Sequence, residues 1–220
     1  MGTFGFPFLF PFLINQEIMK EFWDERYAAD EYVYGKEANL FLQSKLVGIE
    51  PGKALFPAEG EGRNAVFAAT LSWDVTAFDI SSSAKIKADK LAQEKEVSID
   101  YRVGFLDQQG FKENSFDLIV LIFAHFPASL RSSIHQSLKK LLKPGGQIIL
   151  EAFSKEHLEY NSKNPKAGGP KDASMLFSKE ELEEDFEDLE WLFFEKKVLE
   201  IKEGAFHDGL SSVIRLVAKR

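Results

Sequence analysis

The sequence predicts an α/β fold: a single doubly wound, mostly parallel sheet with a C-terminal antiparallel β-hairpin. Apolar runs near 54–58, 75–78, 97–103, 116–123 and 147–153 alternate with segments of helical periodicity. Such alternation builds a parallel sheet, because the crossovers are right-handed and helices cover both faces. A glycine-rich turn, Ala58-Glu59-Gly60-Glu61-Gly62, leads from the first apolar run into a helix, as at the start of a nucleotide-binding half-sheet. Beyond Leu189 two strand-like stretches follow one another with no helix between them.

Taken in order, Glu17 to Tyr27 reads as a helix with Ile18, Phe22 and Trp23 on one side. Lys36 to Val47 reads as a second, with Leu40, Phe41 and Val47 inward, ended by Gly48, Pro51 and Gly52. Ala54 to Ala58 is the first strand, Arg63 to Leu71 the helix after the turn, and Val75 to Phe78 the second strand. Ser81 to Ser83 cap a helix reaching Glu94. Val97 to Val103 is the third strand. Phe116 to Phe123, apolar after Asp117, has the composition of a strand buried on both faces. In the helix Ala128 to Leu142, the residues Leu130, Ile134, Leu138, Leu141 and Leu142 share one stripe, which leaves His135 on the solvated side. Lys143-Pro144-Gly145-Gly146 turns the chain into the strand Gln147 to Phe153. Ser154 to Leu176 is a polar loop, long enough to suggest function. Ser178 and Glu181 form a capping box, with Phe177 and Leu182 as its staple, on a helix reaching Leu189. Glu190 to Ile201 and Ser211 to Ala218 are the hairpin.

Composition removes several function classes. The chain has no cysteine, hence no disulfide, thiolate nucleophile or zinc–thiolate site. Its four histidines are scattered without a metal-binding spacing, so no metal is expected. A net charge of −8 argues against a nucleic-acid partner, which needs a basic face. Residues 1–18 stand apart: Phe4, Phe6, Phe8, Phe10 and Phe12 alternate and are broken by Pro7 and Pro11. They lack the basic leader of a signal peptide, are too short to span a bilayer, and place Phe6 where myristoylation needs Ser or Thr. The expected organisation is an appendage at 1–18 and one domain at 19–220, cytoplasmic and without a membrane span.

Four segments converge on one crevice at the carboxyl ends of the strands: Ala58 to Gly62, Asp79 with Ile80, Leu106 with Asp107, and Phe123 to Phe126. Gly60 and Gly62 permit close backbone approach, and Asp79 stands where a carboxylate accepts from ribose hydroxyls. Glu59 and Glu61 would repel a pyrophosphate. They suit a ligand with a ribose and a cationic tail, such as S-adenosyl-L-methionine. A nicotinamide-dependent oxidoreductase shares the strand–turn–helix–strand–acid order, but the turn does not supply GxGxxG.

The chain resembles the class I S-adenosylmethionine-dependent methyltransferases, and within them the tellurite-resistance methyltransferase branch. The resemblance begins near Phe22-Trp23-Asp24-Glu25-Arg26-Tyr27 and includes Tyr32-Val33-Tyr34-Gly35. It continues through the glycine turn with Arg63-Asn64, Asp79, Phe116-Asp117-Leu118-Ile119 and Leu142-Lys143-Pro144-Gly145-Gly146. Gly168-Gly169-Pro170-Lys171-Asp172 and Glu203-Gly204-Ala205-Phe206-His207 point to a narrower subgroup. The resemblance implies a Rossmann-like methyltransferase working by in-line methyl transfer, while the acidic balance, the segment with Tyr32 and Tyr34 and the long loop from Ser154 to Leu176 lead to the expectation of a small-molecule acceptor. It implies cofactor contacts from Ala58, Glu59, Gly60, Glu61, Gly62, Asn64, Asp79, Ile80, Leu106, Asp107 and Phe123. Phe56 stands where the family usually carries an acid, and Ala58 replaces the family's first glycine, so Glu59 or Glu61 is expected to take over the acid's work.

His125 follows a buried strand and faces the crevice mouth, which makes it the candidate base for an oxygen, nitrogen or sulfur nucleophile. Packing or loop fixing is the competing role for it. Tyr27, Tyr32 and Tyr34 precede the first strand, where a lid forms in related enzymes. Lys171 and Asp172 in the polar loop, and His207 in the hairpin connection, are further substrate candidates, each with a surface turn as the alternative. A non-catalytic protein that only binds S-adenosylmethionine has the same features.

Overall fold

Strands that are apolar on both faces must be covered on both faces, and such strands form the centre of one seven-stranded sheet in the computed structural model. It describes the backbone from Leu9 and the side chains from Gln16 to the C-terminus. Helix α1 spans Leu9–Arg26 and α2 Leu40–Leu46; then β1 (Lys53–Pro57), α3 (Arg63–Thr70), β2 (Asp74–Asp79), α4 (Ser82–Glu94) and β3 (Asp100–Val103) follow. The second half comprises β4 (Phe116–Ile122), α5 (Ala128–Leu141), β5 (Leu142–Phe153), the short α6 (Leu158–Asn161), α7 (Lys179–Asp185), β6 (Glu190–Lys202) and β7 (Asp208–Lys219). The strand order is β3-β2-β1-β4-β5-β7-β6. β1 to β5 pair in parallel, while β7 runs antiparallel between β5 and β6. The order reverses between β1 and β4, and ligands of such sheets bind outside the carboxyl ends at that reversal.

Two apolar layers hold the sheet. One, with Leu55, Ile119, Leu121, Leu150 and Ile214, packs under α5 and α7 and takes in Phe177 and Phe186. The other, with Phe56, Leu118, Val120, Ile149 and Phe41, packs under α2 and α3. The expected capping box at Ser178 and Glu181 is present, and its staple residues Phe177 and Leu182 are both fully buried. Ser81 caps α4 through Ala84 N–H. Asp24 of α1 caps the same end, accepting from the Ser81 hydroxyl at 2.6 Å and from Ser83 N–H at 3.1 Å, which fixes α1 to the domain.

Several expected elements differ. α1 begins well before Glu17, and the boundary at residue 18 falls inside it, whereas the alternating phenylalanines up to Phe8 lie outside the described residues. Ile18 and Phe22 are exposed rather than packed. α2 begins at Leu40 because the Asn39 side chain accepts from Leu42 N–H; this turns Leu40 and Val47 to solvent and Phe41, Leu42 and Leu46 inward. The third strand is only four residues long, and α7 ends at Asp185. The polar loop carries α6 and short 3-10 turns. His135 is not solvated. It is fully buried with Nδ1 2.7 Å from Asp185, because α7 covers the flank of α5 that periodicity alone leaves open to water.

Candidate active site

The two strand ends at the reversal are held in the left-handed region by residues other than glycine. Ala58 after β1 has φ 50° and Phe123 after β4 has φ 53°. Such strain persists where the surroundings impose it, often at functional sites. Ala58 thus adopts a backbone conformation that favours glycine.

Asp79 closes β2 beneath this crevice. One carboxylate oxygen accepts from Gly60 N–H at 2.9 Å and the other from Ser81 N–H at 3.0 Å. Burial pushes its pKa up to about 6 against those two amides, so it remains largely ionised at neutral pH. Each oxygen retains a lone pair for a ribose hydroxyl. The turn is braced from below by Tyr101, whose hydroxyl donates to the Gly60 carbonyl at 2.5 Å. Gly60 faces Tyr27: a Cβ there would lie 2.8 Å from the Tyr27 hydroxyl oxygen, so the tyrosine rests directly on the turn. Gly62 serves packing, since a Cβ would collide with Ala88 of α4.

The two acids of the turn have separate duties. One oxygen of Glu59 accepts from Asn64 N–H at 2.9 Å and Ala65 N–H at 2.7 Å, so it occupies the amino end of α3. Burial pushes Glu59 up to about 8 despite those bonds. Glu61 is tied into the protein. It pairs with Lys87 at 2.7 Å and accepts from Val33 N–H at 3.1 Å and Tyr34 N–H at 3.4 Å, which fastens the segment before α2 to the turn. Asn64 also holds structure, accepting from Asn39 N–H at 2.9 Å. Ile80 is half-buried beside Asp79, Leu106 packs against the core, and Asp107 is exposed at the start of a 3-10 turn. Tyr32 donates to the Lys87 carbonyl at 2.9 Å.

His125 lies at the crevice mouth, with Nδ1 2.8 Å from the Met175 carbonyl. A carbonyl only accepts, so Nδ1 carries the proton and Nε2 is bare; Nε2 is buried without a partner. Burial drives the ring's pKa down to about 3. The ring packs between Phe153 and Phe177. His207 is buried, against the expectation of a surface turn, and its ring lies 4.5 Å from Tyr34 and 4.6 Å from Phe123. Lys171 and Asp172 are exposed, and Asp172 caps a 3-10 turn through Ser174 N–H.

Sequence reasoning missed a buried polar cluster behind the crevice. Arg63 pairs with Glu203 at 2.6 Å, Asn39 donates to Glu203 at 3.0 Å and to Glu151 at 2.9 Å, and Arg215 pairs with Glu151. The signal lay in the recurring runs. Gly204 abuts Val33 and Tyr34, and Gly168 abuts Phe206 and His207, so Tyr32-Val33-Tyr34-Gly35, Gly168-Gly169-Pro170 and Glu203 to His207 form one packed roof.

Residues 57–146 match the methyltransferase domain family. That segment carries the turn, Asp79, Phe123 and His125. The fold is shared with solved structures of low sequence identity. One comes from work on the conversion of a disulfide bond into a thioacetal group during echinomycin biosynthesis (19% identity, 92% of this chain and 91% of that one, TM-score 0.71). Another is TehB from Haemophilus influenzae (18%, 91% and 66%, TM-score 0.68). A third is magnesium protoporphyrin IX methyltransferase from Synechocystis PCC 6803 with bound SAH (16%, 93% and 99%, TM-score 0.66). No curated protein matches the chain.

The domain match implies S-adenosyl-L-methionine as cofactor, and the residues present fit it. Asp79 is a largely ionised acid that could accept from a ribose, and Glu59 is an acid group that could ionise beside a cationic tail. The same Glu59 fills the helix end at which a pyrophosphate would bind.

Proposed function

We propose that the protein is an S-adenosyl-L-methionine-dependent methyltransferase that acts on a small-molecule acceptor. The observation that carries this reading is the pairing of Asp79 with Glu59. One is a buried ribose-type acid, and the other is an acid side chain on the α3 amides where a dinucleotide would need its phosphates. This arrangement favours a phosphate-free nucleoside with positive charge and disfavours a nicotinamide dinucleotide.

In this reading Asp79 binds the ribose, while Gly60 lets the ligand lie against the backbone. Glu59 takes the place of the acid that Phe56 lacks and faces the methionine ammonium. Bound there, the cofactor supplies an electrophilic methyl group on a sulfonium. Tyr27, Tyr34 and Phe123 cover the crevice and exclude water, and orientation of the acceptor in line with the methyl supplies much of the rate. The aromatic roof of the lid segment and hairpin connection, together with the net charge of −8, favours a small acceptor over nucleic acid. Incubating the protein and a cell extract with methyl-labelled cofactor tests this: label is expected in the small-molecule fraction. Label confined to protein or nucleic acid would overturn the acceptor class, and no label in any fraction would favour a protein that only binds.

A further inference from the structure

We propose that His207 is the catalytic base, taking the proton of a neutral hydroxyl acceptor such as a phenol, with Glu203 as the positioning residue behind it. The proposal rests on the methyltransferase reading above and names the chemistry of its acceptor.

His207 sits between the lid and the end of β4. Its ring is 4.5 Å from Tyr34, 4.6 Å from Phe123 and 5.1 Å from Phe153. Nδ1 is buried without a hydrogen-bond partner, 3.8 Å from Glu203 Oε2. That separation is longer than a hydrogen bond. A carboxylate only accepts, so the contact selects the tautomer with its proton on Nδ1 and leaves Nε2 bare as a base. Glu203 is itself fixed by Arg63 at 2.6 Å and Asn39 at 3.0 Å. Burial opposes its charge, but His207 and Arg63 outweigh burial and hold its pKa down at about 2. An imidazolium formed at His207 therefore meets a permanent carboxylate.

The loop that carries the dyad is tied by backbone hydrogen bonds. Glu203 N–H donates to the His207 carbonyl at 2.7 Å, and Ala205 N–H donates to the Val33 carbonyl at 3.2 Å. His125 has no such support. No carboxylate faces it, while Arg131, His157 and His207 all weigh against a positive charge on its ring. The titratable and charged groups near His207 are Glu203, Arg63, His125, His157 and Tyr34. Burial and Arg63 lower its pKa and Glu203 raises it, with a net shift downward, so the ring is neutral and ready to accept at neutral pH.

The acceptor's chemistry follows from the groups around the ring. Tyr34, Phe123 and Phe153 surround His207 with aromatic rings, which suit an aromatic acceptor. A neutral hydroxyl has a proton for the base to take, whereas an ionised one has none. As the hydroxyl oxygen's lone pair forms the bond to the methyl carbon, the carbon–sulfur electron pair returns to sulfur as a thioether. The hydroxyl proton moves to Nε2 of His207.

Phenol and 4-nitrophenol separate proton removal from binding, since at about pH 8 the first is neutral and the second largely ionised. His207→Gln is expected to lower phenol methylation by about 10²-fold or more and 4-nitrophenol methylation by less than about fivefold. Added imidazole should partly rescue phenol turnover, and affinity for S-adenosylhomocysteine should be retained. Glu203→Gln should lower kcat for phenol with little change in KM. In the wild-type protein, nitrogen-15 NMR of the histidine rings should find His207 with Nδ1 protonated and Nε2 bare, a readout independent of turnover and of any variant's folding. Equal losses for both phenols, an Nε2-protonated ring, or a wild type that binds S-adenosylhomocysteine and methylates other small molecules but not phenols would overturn the proposal. Failure to bind S-adenosylhomocysteine at all would instead overturn the reading beneath it.

Discussion

Arg63 and Glu203, 140 residues apart in sequence, meet at 2.6 Å with side chains only 8% and 12% exposed. The pair bolts the hairpin connection to the helix that follows the glycine turn. Removing one partner leaves a buried charge uncompensated, which costs about 3–5 kcal/mol, whereas removing both costs far less. Arg63→Met is therefore expected to lower unfolding free energy by that amount, and Arg63→Met with Glu203→Leu to recover most of it. Additive losses in chemical denaturation would show that the two do not act as a pair.

The same pair sets an acid limit. Glu203 has its folded pKa held at about 2, below the usual 4.5, so its contribution is complete above about pH 4.5 and is lost as pH falls toward 2. Wild-type stability should drop across that window more steeply than that of Glu203→Gln. Parallel curves would contradict the assignment.

Glu59 behaves in the opposite sense. Its folded pKa of about 8 exceeds the usual 4.5, so its stabilising effect is full below about 4.5 and declines as pH rises through 8. At pH 7 the free protein keeps Glu59 mostly protonated, and a cationic ligand beside it draws the proton off. Binding of S-adenosylmethionine at pH 7 should release up to about one proton, so its heat should vary with the buffer's ionisation enthalpy, and Glu59→Gln should remove most of that dependence. Heats independent of buffer would place the cationic tail elsewhere.

His125 holds the loop above α5 through Met175 and packs between Phe153 and Phe177. His125→Ala is expected to cost about 2–4 kcal/mol from the cavity and the orphaned carbonyl together. Thermal unfolding that is unchanged in His125→Ala would show that the ring is not a packing element.

Deleting residues 1–18 is proposed to leave folding and cofactor affinity within about 1 kcal/mol of the full chain. The helix remainder that stays keeps Asp24 on the α4 cap and Trp23 stacked on Tyr27. A large drop in melting temperature on deletion would move the domain boundary toward the N-terminus.

Much of the fold could be read from sequence because period and punctuation agreed. Phe116 to Phe123 had the composition of a two-faced strand, Ser178 and Glu181 wrote their own cap, and Asp79 fell at a strand end by spacing alone. What escaped were partners distant in sequence. Nothing in the period of α5 shows that α7 will cover His135, and nothing near Arg63 shows that its counter-charge lies in the last hairpin. Glu59 and Glu61 look equivalent in the turn, yet one faces the α3 amides and the other Lys87, because the chain turns at Gly60 between them.

Calorimetric titration of the wild-type protein and Asp79→Asn with S-adenosyl-L-methionine, with NADH as the comparison ligand, tests the cofactor assignment most directly. Wild-type protein is expected to bind with micromolar-scale affinity, on the order of −8 kcal/mol, and to ignore NADH. Two charge-assisted hydrogen bonds are weakened in the variant, so folded Asp79→Asn should lose about 2–4 kcal/mol of that affinity. Binding of NADH without S-adenosylmethionine, or undiminished affinity in folded Asp79→Asn, would contradict it.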